Sequence, residues 1–495
     1  MKILVIQLTR LGDILCTLPT LSAMRRDYPD AQIHLLVRSR FAQAAEGHLA
    51  IDHLWKLDAQ KILGNLISDS VETKSVGQEK ADASLASLSQ ALIALSQVIS
   101  ELRAEKFDKI INLSFSPSSS FIAHLISQGK IPVVGYSRTS DFYLHIPDEA
   151  SRYFRSHVGI DKSNRIHVID IFSWVAGVKI KSSDLCSHDK KLRDGGIVCH
   201  LGASQKQKRW PDEHWTRLLQ RLTTELETQV TLVGTEAEAP WINNIALQVG
   251  ASSQLRNLAG KTNYAELKRI IERARLFIGA DSGPMHVANI VATPTLNLSV
   301  GNVRFWETGP IVAGSRVFQC RNPKFLSSDE IFVHAKEMFK GESTIMPVVE
   351  CMNQNGVRYT LKNEIKIRQD QWSVVEWMHF YGPKPEFPGE LSTALNQIVE
   401  LSKLAISQLE AFYKDSSKAE IVSVLDRVDE LMNFLMTNIS PVAPLIEEFL
   451  CQKENIPPLS REEVFHQTKR CYEVLCQRGE SLLQRELKTQ QEMRL

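Results

Sequence analysis

The sequence lacks the cysteine patterns of a disulfide-bonded or zinc-binding protein. Its 495 residues include eight cysteines, and none of them forms a CxxC pair or another zinc spacing. Cys471 and Cys476 are five residues apart in a helical pattern, a separation that does not suit a shared metal. We therefore expect reduced thiols, as in cytoplasmic proteins, and predict no metal site.

Long apolar runs and a surplus of one charge are also missing. No stretch of the sequence is long and apolar enough to cross a bilayer. Arg10 and Asp13 interrupt the first apolar run too early for a signal peptide. The net charge of +1 gives no electrostatic reason to expect nucleic acid or a strongly anionic membrane as a partner. Any membrane contact is therefore expected to be peripheral.

The length and the apolar content predict more than one packed domain. A chain of 495 residues, of which 43% are hydrophobic, exceeds one ordinary core, so we expect two or three domains. Alternating strand and helix patterns run from residue 1 to about 170 and start again near Gly195. This alternation is typical of doubly wound α/β domains, which bind ligands beyond the carboxyl ends of their strands.

The first strand–turn–helix pattern brings a carboxylate to such a position. The apolar run Lys2–Leu8 ends at the turn Thr9–Asp13, and a helical pattern follows to about Asp27. Asp13 is therefore expected at the mouth of a cleft. Two interpretations of Asp13 stay open and are compatible with each other: a side chain that caps its helix, and a side chain that takes part in chemistry.

The most informative segment is DSGPMH at residues 281–286, between a buried strand and a helix. Pro284 suits the first helical turn, because the N–H that it lacks would have no helical partner there. The backbone N–H groups of Ser282 and Gly283 then point out of the helix N-terminus, where an anion can bind. The segment begins with a carboxylate and ends with an imidazole. This combination predicts a site for a nucleotide diphosphate and the sugar attached to it.

Two regions fall outside the alternating pattern. Residues 68–89 are rich in Ser, Lys, Glu and Asp and predict a polar insertion, with 68–82 as a mobile surface loop; a substrate-gating role for this loop stays open. Residues 341–389 predict an irregular linker. Three apolar stripes within 390–495 predict a helical bundle, with prolines between the second and third helices. The bundle is either a packing or self-association module or a binding site for a partner.

Five blocks of the sequence are informative together: KILVIQLTRLGDILCTLPTLSAMRRDYPDAQIHLLV at 2–37, HLGASQKQKRWPDEHWTRLL at 200–219, LVGTEAE at 232–238, NLAGKTNYAEL at 257–267 and FIGADSGPMHVANIVATPTLNLSVG at 277–301. In this order they resemble glycosyltransferase family 9, the heptosyltransferases of lipopolysaccharide core assembly. The resemblance covers roughly 1–340 and implies a GT-B fold, in which two Rossmann-like domains face each other across a cleft. We expect an acceptor-binding domain at 1–180 and a nucleotide-sugar donor-binding domain at 190–340, before the linker and the helical extension.

The resemblance also implies a mechanism. An acceptor hydroxyl attacks the anomeric carbon directly and inverts it, without a covalent intermediate, an obligatory metal or a cofactor. Asp13 corresponds to the carboxylate thought to act as the base. Lys208 corresponds to a lysine that contacts the donor phosphates, with Lys206 and Arg209 as alternatives. Ser204 precedes this cluster, where small hydroxyl residues near the diphosphate are expected.

The same resemblance assigns the remaining donor contacts. Glu236 is expected to bind the ribose hydroxyls, in the way that acidic residues do in nucleotide sites, with Glu238 as the alternative. Asp281 is expected to bind hydroxyls of the transferred sugar. The N–H groups of Ser282 and Gly283 are expected to meet the diphosphate.

His286 is also expected among the donor-binding residues, where it either donates to a phosphate or satisfies a core carbonyl. Acceptor contacts are less well defined by the sequence. Arg10 and Gly12 are expected to bind the acceptor. The N-terminal domain offers several cations, none of them in a pattern that identifies one acceptor: Arg10, Arg38, Arg40 and Arg138.

Two functions of different classes follow. The first is an inverting glycosyltransferase that moves heptose or a related sugar from an ADP-sugar, ADP-heptose in the best-known relatives, to a lipopolysaccharide core or other surface glycan. It would act in the cytoplasm and peripheral to the inner membrane. The second is a catalytically silent relative that acts as a scaffold through its C-terminal helices. Sugar-nucleotide epimerisation is a third and weaker option. Retention of Asp13, Lys208, Glu236 and Asp281 favours the first, because a silent protein need not keep all four.

Overall fold

A computed structural model describes most of the chain: residues 1–58, 78–159, 162–185, 193–203, 208–342, 349–353, 357–361, 369–380, 385, 389–415, 419–457 and 459–492. It divides into two compact units, each assembled from three segments. The first unit contains Met1–Ser114, Leu125–Val133 and Ile166–Glu364. The second unit contains Phe115–His124, Val134–Arg165 and Ile365–Leu495. The predicted domain boundaries remain predictions.

The first sheet is built around the apolar N-terminal strand. Its strand order is β3-β2-β1-β4-β5, and β1 pairs in parallel with both β2 and β4. Residues Ile3 to Gln7 of β1 are all buried, as expected for a continuous apolar run in the middle of a parallel sheet. The strands are β1 Lys2–Gln7, β2 Gln32–Arg38, β3 His53–Leu57, β4 Lys109–Asn112 and β5 Val133–Gly135.

The second sheet contains the strand that precedes the DSGPMH segment. Its order in the described residues is β10-β9-β8-β11-β12-β13-β14-β15, and β8 to β13 are parallel. The last two strands join antiparallel, so part of the segment predicted as an irregular linker extends this sheet. The strands of this sheet are β8 Gly195–His200, β9 Val230–Val233, β10 Leu255–Asn257, β11 Ala274–Ala280, β12 Thr295–Val300, β13 Arg316–Cys320, β14 Val349–Asn353 and β15 Val357–Leu361. Two short strands, β6 Ser137–Arg138 and β7 Leu144–His145, form a separate two-stranded sheet.

Helices alternate with these strands up to residue 340. One of them corrects an expectation: the helix Gln78–Ala104 begins inside the stretch predicted as a loop, while 59–77 lie outside the described residues. No helix in the described ranges combines the length and the apolar character needed to span a bilayer. The helices of this part are Leu11–Asp27, Gln78–Ala104, Pro117–Ser127, Glu149–His157, Val168–Ala176, Ser182–Leu185, Asp212–Thr224, Ala239–Val249, Tyr264–Arg273, Gly283–Ile290, Phe305–Thr308 and Ser328–Lys340, with 3₁₀ turns at Ser39–Ala44 and Pro323–Phe325.

The C-terminal region is helical, as predicted. The described residues of 389–492 form four helices, one more than the three apolar stripes indicated, and Gln369–His379 is a further helix inside the segment predicted as an irregular linker. The stretch containing Pro441 and Pro444 was interpreted as a break between helices. Pro444 instead lies in the first turn of the helix Ala443–Glu454, where a proline costs no helical hydrogen bond. Its Leu445, Ile446 and Phe449 belong to the apolar core of this region. The helices are Gln369–His379, Gly389–Lys414, Ala419–Asn438, Ala443–Glu454 and Arg461–Glu492, with a 3₁₀ turn at Ser440–Val442.

Candidate functional site

A cavity of about 1200 Å³ lies within the first unit, where the carboxyl ends of strands from both large sheets meet. Residues that end or follow strands line it, among them Arg38, Asp58, His200 and Asp281. This is the position at which open parallel sheets bind their ligands. Its volume is sufficient for a nucleotide sugar.

The N-terminus of the helix Leu11–Asp27 forms one wall of the cavity. The first helical hydrogen bond runs from Ile14 N–H to Arg10 O (3.2 Å), so the N–H groups of Leu11, Gly12 and Asp13 precede it. The Asp13 carboxylate accepts a hydrogen bond from Arg10 N–H (3.1 Å) and also lines the cavity. Asp13 therefore caps its helix and faces the space where a substrate would bind.

The N-terminus of the helix Gly283–Ile290 forms the facing wall. Its first helical bonds run from Met285 and His286 N–H to Ser282 O (3.1 and 3.2 Å), and Pro284 has no N–H. The N–H groups of Ser282 and Gly283 therefore precede the helical pattern, at the positive end of the helix dipole. The loop therefore has the N–H arrangement that the sequence predicts, and anion binding there stays a prediction.

The side chains of Asp281 and His200 lie beside that loop. Asp281 Oδ2 accepts a hydrogen bond from Thr308 Oγ1 (2.9 Å). The imidazole of His200 lies with Nδ1 3.0 Å from Ser282 Oγ and with Nε2 3.6 Å from Glu238 Oε2. His200 therefore joins the loop that contains Ser282 to a carboxylate on another loop. His200 was not among the predicted site residues, although its position as the last residue of β8 was a signal.

The ring of His286, on the helix Gly283–Ile290, lies against the helix Leu11–Asp27. Its Nδ1 is 3.6 Å from Cys16 Sγ, and its Nε2 is 3.6 Å from Asp281 Oδ1. Burial, with the carboxylates of Asp13 and Asp281, raises the pKa of the Cys16 thiol well above its usual range, so Cys16 is a neutral neighbour. The sequence left two interpretations of His286 open: a donor to phosphate and a partner for a core carbonyl. The contacts described for its ring are with a thiol and a carboxylate, which does not match the second interpretation.

Of the two acidic candidates on the loop after β9, Glu238 lines the cavity, and Glu236 is exposed and is not among the lining residues described. Glu238 Oε2 accepts hydrogen bonds from Thr235 N–H and Oγ1 (both 2.8 Å). Burial by itself would raise the pKa of Glu238, but His200 and the Thr235 hydrogen bonds outweigh it and lower that pKa to about 2. Glu238 is therefore a fixed carboxylate, and its geometry favours the alternative over Glu236.

Of the cations of the basic loop that the structure describes, Lys208 lines the cavity. Arg209 instead lies over the ring of Trp241, with its guanidinium carbon 4.8 Å from the ring centroid, so Arg209 does not replace Lys208. Ser204 and Lys206 lie outside the described residues.

Cations from the first sheet complete the lining. Arg10, Arg38 and Arg40 all line the cavity, and Arg40 lies over Phe41 at 5.2 Å. Arg138 belongs to the second unit, where its Nε donates to Ser120 Oγ (2.8 Å). The cations that line the cavity and the two helix N-termini suit a diphosphate. The carboxylates of Asp13, Asp58, Glu238 and Asp281 line the same cavity and can accept hydrogen bonds from hydroxyl groups.

The chain is similar in sequence to known proteins. Residues 95–324 match the family model described as glycosyltransferase family 9 (heptosyltransferase). The chain is similar to lipopolysaccharide heptosyltransferase 3 of Escherichia coli, with 24% identity over 342 residues, 64% of this chain and 92% of that protein. The resemblance stated from the sequence motifs is thereby confirmed.

Solved structures show the fold. A family 9 glycosyl transferase from Veillonella parvula superposes with a TM-score of 0.51 at 19% identity, over 69% of this chain and 97% of that one. The E. coli heptosyltransferase WaaC with ADP superposes with a TM-score of 0.50 at 17% identity, over 68% of this chain and 100% of that one. The predicted α/β fold of GT-B type with a helical C-terminal region is confirmed.

Proposed function

Because residues 95–324 match glycosyltransferase family 9, we propose that this protein is an inverting heptosyltransferase. It would use ADP-heptose and act on a lipopolysaccharide core or another surface glycan. One observation supports this most strongly. The N-termini of the helices Leu11–Asp27 and Gly283–Ile290 open onto one cavity that is also lined by Asp13 and Lys208. A phosphate-binding loop and a carboxylate base thus share one space.

The donor diphosphate would bind at the loop that starts the second of these helices. The N–H groups of Ser282 and Gly283 would donate to its oxygens, and Lys208 would add a positive charge. Gly283 lets the two helices approach, because a Cβ there would lie 3.1 Å from Leu11 Cδ2. Such preorganised positive charge stabilises the leaving ADP as the glycosidic bond breaks.

Asp13 would accept the proton of the attacking hydroxyl. The acceptor oxygen forms a bond to the anomeric carbon while the bond from that carbon to the phosphate oxygen breaks. ADP leaves with the electron pair of the broken bond, and the proton passes to the Asp13 carboxylate. A positioned base of this kind contributes about 10²–10⁴-fold in rate.

The remaining lining residues have complementary roles in this proposal. Glu238, rather than the exposed Glu236, would bind the ribose hydroxyls, and Asp281 would bind hydroxyls of the heptose. Arg10, with the backbone at Gly12, would bind the acceptor. The site of action would be cytoplasmic and peripheral to the inner membrane, where a glycolipid acceptor is accessible.

Calorimetric titration with ADP, UDP, GDP and CDP tests the donor. Selective ADP binding that is weakened by Asp281→Asn supports the proposal, and a preference for another nucleotide removes ADP-heptose as the donor. Product analysis then tests the stereochemistry, since an inverting enzyme gives the opposite anomeric configuration. A chain that binds none of the nucleotides favours the scaffold function.

A further inference from the structure

We propose that His157, His379 and Glu448, all in the second unit, form a binding site for one divalent metal ion of the zinc class. The three side chains each offer one ligand atom, and these atoms lie within 4.8 Å of one another. None of these three residues is among the described residues that line the cavity of the first unit. The metal site is therefore independent of the proposed glycosyl transfer.

The distances suit one ion between the three groups. Glu448 Oε2 lies 2.9 Å from His379 Nε2 and 3.6 Å from His157 Nε2. Ligand atoms around a tetrahedral zinc ion, bound at about 2.0–2.1 Å, are about 3.3 Å apart. The two observed separations lie on either side of that value, so a small movement of His157 would complete the geometry.

The site is enclosed by protein. The side chains of His157, His379 and Glu448 are only 0%, 2% and 7% exposed. The ring of Tyr153 packs against both imidazoles, with centroid distances of 5.1 and 5.2 Å. A charged group in such surroundings needs a partner of opposite charge.

One ligand atom lacks a hydrogen-bond partner among the described residues. His157 Nε2 is buried and forms no hydrogen bond there, because Glu448 Oε2 is too distant at 3.6 Å. Its other nitrogen, Nδ1, is 3.5 Å from Ser163 Oγ. If Nδ1 is the protonated nitrogen, a lone pair on Nε2 faces a carboxylate oxygen, an arrangement that a cation between them would stabilise.

The backbone adds a favourable field. His157 and His379 are the last residues of the helices Glu149–His157 and Gln369–His379. The C-terminus of a helix bears partial negative charge and favours a cation nearby. Two such helix ends meet at one carboxylate.

Outer contacts orient the ligands as they do in known metal sites. His379 Nδ1 lies 3.4 Å from Glu149 Oε1, a carboxylate–histidine pair of the kind that fixes a metal-binding ring. Glu448 Oε1 accepts a hydrogen bond from Gln452 Nε2 (2.9 Å) and forms an ion pair with Arg478 Nη1 (3.0 Å), which leaves Oε2 for the ion. The charge of Arg478 opposes a cation, but the carboxylates of Glu149, Glu447 and Glu448 outnumber Arg478 and Lys162.

A metal here would have a structural role. The helix Glu149–His157 lies inside the segment 95–324 that matches the family. The helices Gln369–His379 and Ala443–Glu454 lie beyond its end. One ion bound to all three would join the C-terminal helices to the family segment within the second unit. The sequence could not indicate this site, because its ligands come from three distant positions.

Titration of the full-length chain with Zn²⁺ and Co²⁺, after removal of metals with a chelator, tests the proposal. We expect one ion per chain, visible absorption bands of four-coordinate Co²⁺ and a higher Tm with metal. His157→Gln and Glu448→Gln should each remove the bands. The matched control is His466→Gln, because His466 is 63% exposed and also has a glutamate neighbour, Glu462; its bands should be unchanged.

A second variant covers the case in which a buried substitution prevents folding. Glu149 is 62% exposed, so Glu149→Gln should fold, and we expect metal affinity to fall by about 10–100-fold. The proposal is overturned if the native chain binds no Co²⁺ or if its bands survive in His157→Gln or Glu448→Gln. When neither of those variants folds, unchanged affinity in Glu149→Gln overturns it, and the site is then only a hydrogen-bonded network.

Discussion

Gly12 lies directly against the imidazole of His286. A Cβ on Gly12 would be 2.7 Å from His286 Cδ2 and 2.9 Å from its Nε2. The contact joins the N-terminal turn of the helix Leu11–Asp27 to the helix Gly283–Ile290. The two helix N-termini can open onto one cavity because residue 12 has no side chain.

Gly12→Ala should therefore destabilise the protein. Overpacking a close contact of this kind costs about 1–3 kcal/mol, since either the helix or the imidazole must move. The free energy of unfolding in urea measures the loss. The double variant Gly12→Ala/His286→Ala should recover part of it, because the clashing ring is gone. If the losses of unfolding free energy of Gly12→Ala and His286→Ala simply add in the double variant, the contact between residue 12 and His286 does not limit the packing.

Asp13→Asn separates the two roles of this residue. Asparagine keeps an oxygen that can accept the hydrogen bond from Arg10 N–H, so Tm should change little. Asparagine cannot accept the proton, so kcat should fall by about 10²–10⁴-fold while ADP affinity is retained. Asp30→Asn, at an exposed position after the same helix, is the control. A fall in Tm with kcat nearly intact would leave capping as the only role of Asp13.

Glu238 should contribute an acid-sensitive part of the stability. Its pKa is lowered from 4.5 to about 2 in the folded protein, so its stabilising effect is complete above pH 4.5 and is lost as the pH falls from there towards 2. Glu238→Gln should remove this part of the acid dependence. Urea midpoints measured between about pH 6 and about pH 3 test this expectation.

The exposed Glu236 provides the matched control for that experiment. Glu236→Gln should leave both the acid dependence and the ADP affinity unchanged, whereas Glu238→Gln should weaken ADP binding through the loss of a charged hydrogen-bond acceptor. The reverse ranking of the two ADP affinities would return the ribose contact to Glu236.

Lys208→Ala should weaken ADP binding by about 1.5–3 kcal/mol, the usual contribution of a hydrogen bond to a charged group. The loss should shrink as salt is added, because the interaction with phosphate is electrostatic. Arg209→Ala is the comparison, since Arg209 lies over Trp241 and should affect stability more than binding. Unchanged affinity in Lys208→Ala would move the phosphate contact to the loop residues 204–207.

The strands and helices that form the cavity were largely predictable. Expected and observed bounds agree closely for β1 and for the helix Leu11–Asp27, because each depends on an apolar run or a periodic pattern within a few residues. The helix Ala443–Glu454 was missed for an equally local reason. A proline marks a break in most contexts, and the sequence alone does not show that Pro444 belongs to a first turn.

The candidate site was predictable only where one loop supplies several groups. Ser282 and Gly283 were identified because strand, glycine, proline and helix follow one another directly. His200 was not, since its partners Ser282 and Glu238 belong to other loops. The choice between Glu236 and Glu238 also depended on which side chain the loop after β9 turns towards the cavity.

The amino-acid sequence by itself determined the α/β class, the family resemblance, the strand-to-helix turn at 281–286 and the position of Asp13 after the first strand. These features depend on interactions between residues close in the chain, which periodicity and capping rules describe. Only the tertiary structure decided that Gly12 meets His286, that Glu238 rather than Glu236 lines the cavity, and that His157, His379 and Glu448 converge. Such contacts join residues far apart in the chain, and packing of whole helices and sheets determines which of them meet.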